Sequence, residues 1–400
     1  MFKLKQNNTT VRTELVAGIT TFMAMAYILM VNAGMFSTLG GDALGASYYN
    51  AVYIATALSA VFGTLLIGLL SNLPLAQASG MGLNAFFVYS VCIGMGFTYA
   101  NALVMVLVDG IVFLLLTVTG LRRLIFDAIP KAVKAAIAPG IGLFIAFLGL
   151  QNSGIVVNSD STLVDLHSFN IIFGHTTWAE IMPLLITIAA LIAIGAMSKK
   201  KIKGAVFWGI IGGAVLYYAL GLLTIDGFYA SNVQSKLSLN IIQPFRDFFN
   251  ISFGKVFTEG FNFSEYIAAN GVGSFAATFI ASMLAFCMVD MFDTLGTLYG
   301  ACSAGNLLDK DGNVPNMNKA MFADAAATCF GAVCGTSTVT TFVESSAGIA
   351  EGGKTGLSSV FTAAMFFIAM FLAPIAALTA RAWVKRCCSV TFALISLSAC

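Results

Sequence analysis

Eleven stretches of this chain are apolar over lengths close to the 20 or so residues a helix needs to cross a bilayer core, and that repetition limits the fold more than any motif. They lie near 15–36, 50–71, 77–96, 99–119, 132–150, 179–197, 204–224, 273–297, 319–334, 336–351 and 356–377. Charged residues make up 10% of the 400 and hydrophobic ones 58%, against roughly 25% charge in a soluble domain. The apolar residues therefore fill whole runs and not one face of each helix, and the expected fold class is an all-α polytopic membrane protein. A net charge of +2, with the bases in short clusters between runs, argues against a nucleic-acid partner. Eight Cys without a CxxC or a metal-spaced Cys/His set argue against a disulfide framework, a metal site or a cofactor. The run from Leu15 is too long for a cleavable signal and has many others after it, so it reads as a first span.

The basic clusters set the orientation. Lys3, Lys5 and Arg12 precede the first span; Arg122, Arg123, Lys131 and Lys134 follow the fourth; Lys199, Lys200, Lys201 and Lys203 follow the sixth; Lys310 and Lys319 follow the eighth; Lys354 follows the tenth. All fall on one side, while the connections after spans one, three and five carry no Lys or Arg, so the amino terminus is expected to be cytoplasmic. The long connection from about 225 to 270 is then the main outside segment. After Pro374 the bases Arg381, Lys385 and Arg386 oppose this pattern, and the Ser-rich stretch that follows is too short for a twelfth span.

Two spans read as broken. Pro74 to Phe87 (PLAQASGMGLNAFF) is apolar enough for membrane depth but carries Pro, polar side chains and Gly before helix formers resume. Gly335 to Gly353 (GTSTVTTFVESSAGIAEGG) repeats the plan with a β-branched Thr-rich run, which favours an extended strand, and then Glu344 opening a short helix. Non-helical backbone at that depth needs protein or water around it. Two such segments in corresponding halves point to a transporter site built by inverted repeats. Close helix packing by Gly is the blander reading, and it leaves the Thr-rich run and its acid unexplained.

Intramembrane acids usually mark ion or solute paths, and the candidates are Asp109, Asp290, Asp293, Asp324 and Glu344. Asp290 and Asp293 are three apart on the eighth span and share a face, so one of the pair is expected to keep a proton near neutral pH. Asp109 and Asp324 stand alone and read as helix-packing or hydrogen-bonding residues. Gly348 to Thr355 matches the phosphate-loop pattern GxxxxGK[ST], but apolar spans on both sides leave no soluble βαβ domain to hold it. His167 and His175 share an outside loop with Asp160 and Asp165, a weak metal signal better read as a solvated loop.

At QASGMGLNAFF, VDMFDTLGTLYG and TSTVTTFVESSAGIAEGGKTGLSSV, together with RTELVAGITTFMAMAYILMVN, the chain resembles the azaguanine-like (AzgA-like) purine permeases of the nucleobase-cation symporter superfamily, with their uracil/xanthine permease-like fold. The resemblance runs from about Thr10 to about Ile375. It implies two inverted seven-span repeats with short strands in the two broken spans, and this chain ending after the eleventh. The implied domains are 1–120 (core, first repeat), 121–225 (gate, first repeat), 226–272 (outside loop), 273–378 (core, second repeat) and 379–400 (an atypical tail). It further implies that Asn84, Gly82, Asp290 and Glu344 line the substrate site, and that Asp290, Asp293 and Glu344 carry proton coupling. The implied activity is proton-coupled import of adenine, guanine or hypoxanthine across the cytoplasmic (inner) membrane, with the proton and the lipid bilayer as further partners and a homodimer left open. A purine is flat and neutral with a rim of donors and acceptors, which suits Glu344 as acceptor and Asn84 as a two-way amide. The competing readings are an anion or other small-solute transporter of the same fold, and an intramembrane aspartyl hydrolase using Asp290 with Asp324. The acids oppose the first; the second leaves the broken spans unexplained, so no enzyme is expected.

Overall fold

The computed structural model describes residues 2, 4–119, 143, 147, 150–151, 154–159, 162–168, 177–200, 202, 205–226, 228, 240–310, 313–374 and 376. The chain divides into two compact units, Met1–Ile137 with Ile241–Ala373, and Ala138–Asn240 with Pro374–Cys400.

The first unit opens with α1 (Val11–Met25), started by Thr10, whose hydroxyl accepts from the Thr13 amide. A single turn residue, Ala26, separates it from α2 (Tyr27–Phe36). Helix α3 (Gly41–Ser71) ends at Asn72 in the left-handed region, φ 58°. The chain then runs extended into strand β1 (Gln77–Ser79) and re-enters helix as α4 (Met81–Ala85), continued by a wider π-turn helix over Phe86–Gly94. Helix α5 (Tyr99–Thr119) completes the first half of this unit.

In the second unit a two-stranded hairpin pairs β2 (Val156–Ser159) with β3 (Leu163–Leu166). Helices α6 (Trp178–Lys199) and α7 (Ala205–Thr224) pack there around Met182, Ile186, Ala214, Tyr217 and Phe228.

The first unit resumes with the short helices α8 (Ile242–Asp247) and α9 (Lys255–Thr258), joined by a π-turn over Phe248–Ser252. This connection is built onto the bundle. Asn50 donates to Asp247, the Gly254 amide donates to the Val333 carbonyl, and Asn101 donates to the carbonyls of Gly260 and Asn262. Helix α10 (Ser264–Ala304) is two helices in line, parted at Gly271 with φ 80°. Helix α11 (Met317–Cys334) stops at Gly335, φ 95°, where a Cβ would meet the Tyr99 hydroxyl at 2.6 Å, so that only glycine fits. Strand β4 (Val339–Thr341), α12 (Ser345–Ala350) and α13 (Gly356–Met370) follow.

Among the described residues, five helical stretches are long and apolar enough to cross a membrane: Val11–Gly40, Ala43–Ser71, Tyr99–Thr119, Trp178–Met197 and Ser264–Ser303. The apolar runs expected to be broken are those where the helix gives way to a strand. The span expected at 132–150 and the tail at 379–400 lie outside the described residues, apart from isolated positions in the former.

Candidate binding site at the paired strands

The two broken segments meet as one antiparallel ribbon, Gln77 opposite Thr341, Ala78 opposite Thr340 and Ser79 opposite Val339. The ladder is extended at both ends, by the Gly80 amide on the Thr338 carbonyl and the Phe342 amide on the Ala76 carbonyl. A ribbon inside an apolar bundle has two outer edges whose amides and carbonyls find no water. Both edges are closed by the same device. Thr64 on α3 accepts from the Gln77 amide at 3.0 Å and donates to its carbonyl at 3.1 Å. Thr328 on α11 does the same to Val339, at 3.2 and 3.1 Å. The rings of Phe62 and Phe330 stack between these two helices at 4.2 Å.

Side chains alternate across a ribbon, and residues paired across the strands share a face. One face carries Gln77, Ser79, Val339 and Thr341. There Asp324, fully buried, accepts from Thr294 at 2.7 Å, from the Gln77 amide at 3.1 Å and from Thr341 at 3.4 Å. Ser79 shares a hydrogen bond with Thr336, which also accepts from Asn32 at 3.0 Å. This assigns Asp324 the hydrogen-bonding role its isolated position implied.

The other face carries Ala78, Gly80, Thr338 and Thr340. The Thr338 hydroxyl is buried without a hydrogen-bond partner, and the buried Thr340 hydroxyl faces the Asp293 carboxylate, to which it can donate. Asp293 on α10 looks onto this face: the point where a Cβ on residue 80 would sit is 3.1 Å from Thr340 Oγ1 and 3.8 Å from Asp293 Oδ2. Glycine at 80 keeps that point open.

Asn84 lies just beyond, in α4, fully buried, its Nδ2 3.4 Å from the Ser79 carbonyl and its Oδ1 without a partner. Gly82 stands half-buried in the same turn. Glu344 precedes α12 on the far side of β4, half-buried and within electrostatic range of Asp293. Its carboxylate makes no capping bond to α12; it accepts from the Tyr27 hydroxyl at 2.8 Å.

Asp290 is fully buried one turn from Asp293, toward Cys329 on α11, which also lies within electrostatic range of Asp109. The three-residue spacing thus turns the two acids of α10 toward adjacent neighbours. Tyr27, Thr338 and Thr340 were not singled out from sequence. The usable signal for Tyr27 was a phenol inside an apolar run, since a buried tyrosine hydroxyl generally has a partner.

The loop-like Gly348–Thr355 motif has an internal occupant. The buried Glu14 carboxylate accepts from the Lys354 amide at 3.0 Å and the Ser358 amide at 3.2 Å, filling the amino-terminal end of α13 with an anion the protein supplies itself. His167 is described beside the hairpin and His175 lies outside the described residues; among those described, no group of three or more His, Cys, Asp or Glu is placed to hold a metal.

Apolar helices long enough to span a membrane, interrupted where two strands pair, with buried acids around that pair, are the features of a membrane transport protein. The chain belongs to the family Xan_ur_permease, described as "Permease family", whose model matches residues 12–381. It is 38% identical to the putative permease MJ0326 of Methanocaldococcus jannaschii, covering 94% of this chain and 76% of that one. It is 36% identical to the guanine/hypoxanthine permease PbuO of Bacillus subtilis (94% and 78%) and 33% to the adenine permease AdeP of Escherichia coli (94% and 75%). In fold it is similar to the transmembrane domain of a cyanobacterial bicarbonate transporter, BicA, with a TM-score of 0.62 at 14% identity over 97% of this chain and 88% of that one. The similarity to SLC26A9 has a TM-score of 0.60, also at 14% identity, over 99% and 59%.

Proposed function

We propose that this permease is a symporter that imports a purine nucleobase (adenine, guanine or hypoxanthine) with protons across the cytoplasmic membrane, its amino terminus inside. The observation that carries the reading is the open ribbon face: a buried Thr338 hydroxyl without a partner, the Thr340 hydroxyl facing the Asp293 carboxylate, a glycine in place of a side chain, and Glu344 within electrostatic range of Asp293. Hydroxyls that both donate and accept, beside carboxylates that accept, complement a neutral heterocycle with N–H and N/O groups on its rim. Purine permeases among the relatives supply the substrate class. In this reading Asn84, Gly82, Glu344 and Asp290 serve the substrate, Asp290, Asp293 and Glu344 handle the proton, and the segments 1–120 and 273–378 form the core with 121–225 as gate. Binding to the protonated form from outside and release inside gives alternating access its proton dependence.

The test is uptake of radiolabelled adenine, guanine and hypoxanthine by cells lacking their own purine permeases. Accumulation that rises as external pH falls and collapses with a protonophore is expected. No uptake of any purine, or uptake that follows a sodium gradient, would overturn the substrate or the coupling respectively. The bicarbonate transporter among the fold neighbours keeps an anion reading in view. Two carboxylates at the strand pair oppose it, and bicarbonate or sulfate uptake in the same cells would revive it.

A further inference from the structure

We infer that Tyr27 is a positioning residue for solute recognition: it fixes one oxygen of Glu344 and thereby sets the direction in which the other is offered to a bound base. The inference rests on the purine reading of the strand-pair site and adds to it a residue from a different span.

Tyr27 is the first residue of α2, just past the single-residue break at Ala26, and is 1% exposed. Its hydroxyl donates to Glu344 Oε1 at 2.8 Å across a separation of 317 residues. Glu344 has no capping bond to the helix it precedes; its carboxylate is held by the Tyr27 hydroxyl together with its own backbone amide, and of these only Tyr27 reaches it from another span. A flexible glutamate side chain that must meet a planar ligand gains from being fixed in advance, because the ordering is then complete before the ligand arrives. Five residues further along α2, Asn32 donates to Thr336, on the other side of β4, and to Thr56 on α3. One short helix therefore holds the second broken segment on both sides of its strand. The bond at Asn32 fixes backbone-proximal groups; the bond at Tyr27 fixes the recognising carboxylate itself.

The experiment compares the full chain with Tyr27→Phe, Glu344→Gln and the double variant, each purified in detergent, measuring guanine and hypoxanthine affinity by equilibrium binding together with thermal unfolding. Removing the phenol hydroxyl alone is expected to weaken both bases by about tenfold, with the unfolding temperature of the ligand-free protein falling by no more than the loss of one hydrogen bond accounts for. In the Glu344→Gln background, where the acceptor has already lost its charge, Tyr27→Phe is expected to change affinity by less than about twofold. Infrared difference spectra give a readout that needs no ligand. The carboxylate stretch that disappears in Glu344→Gln should shift in Tyr27→Phe.

Unchanged affinity in Tyr27→Phe would make Tyr27 a packing residue and overturn the inference. Fully additive losses in the double variant would do so as well, since they place its effect outside Glu344. A shifted carboxylate band in a protein that binds no purine would overturn the purine reading, and with it the recognition role, while leaving the bond itself as a structural contact.

Discussion

On one face of the strand ribbon Ser79 and Thr341 are tied into Thr336 and Asp324; on the other, Thr338, just before β4, is buried with a hydroxyl that bonds to nothing, and Thr340 faces the Asp293 carboxylate. Within the bundle each unsatisfied polar group is costly, and the side chains of β1 and β4 on the closed face follow that rule except at Gln77 Oε1, with Ser337 Oγ, just before β4, a second exception. A protein that satisfies one face so fully and leaves the other open has allocated the faces to different tasks. The closed face holds the two broken segments together, and in the proposed function the open face is the one that meets the solute.

The largest effect expected from breaking this division is on the closed side. Asp324→Asn replaces an acceptor of three bonds with an amide whose nitrogen must face the donors Thr294 or Gln77. A loss of about 3–5 kcal/mol of stability is expected, read as a marked drop in unfolding temperature with and without purine. Normal stability in that variant would mean that the closed face does not support the ribbon.

Next in size is Glu344→Gln, which keeps shape and leaves Tyr27 an oxygen to donate to, but turns a charged acceptor into an amide. Purine binding should fall by about 2–4 kcal/mol, more for guanine with its two adjacent donors than for hypoxanthine with one. Equal affinities of a folded variant for every purine would reduce Glu344 to a structural acid. Smaller again is Gly80→Ala. The backbone there, φ −66°, accepts alanine, but the new methyl lies 3.1 Å from Thr340 Oγ1 and 3.3 Å from its Cγ2, in the open space. Binding should weaken by about 1–2 kcal/mol with little change in unfolding temperature; the reverse pattern, stability lost and affinity kept, would show that the space is packing and not site.

Much of this architecture was legible in the chain because it is local. Run length located the five long apolar helices of the described residues, Thr-rich β-branched residues located β4, and Pro74 with its polar and glycine neighbours located the first break. What could not be read was long-range. Which strand residue opposes which is decided by helices α3 and α11, through Thr64 and Thr328, and not by the strands' own composition. The spacing of Asp290 and Asp293 fixed their angular relation but not which neighbours stood there. A pattern such as GxxxxGK[ST] specifies a backbone shape suited to an anion, while the identity of the anion, here Glu14 from the first helix, depends on a contact 340 residues away in sequence.

The smallest expected effect gives the sharpest comparison, because one substitution made on each face should act with opposite sign. Thr338→Val removes a hydroxyl that has no hydrogen-bond partner in the protein, keeping the β-branched shape. The folded state loses a buried polar group that was costing it, so the unfolding temperature should stay level or rise slightly. A purine that bonded to this hydroxyl loses about 1 kcal/mol, or roughly fivefold in affinity. Thr341→Val, in the same strand segment, removes a hydroxyl that accepts from the Gln77 side-chain amide at 3.2 Å on the closed face. Here stability should fall by about 1 kcal/mol and affinity should hold. Measured side by side, the two variants should cross: one keeps its unfolding temperature and loses ligand, the other loses unfolding temperature and keeps ligand. If both lose stability alike, Thr338 has a structural partner and the open face is not open. If neither changes affinity, the solute binds somewhere other than the ribbon, and the acids at 293 and 344 must be explained without it.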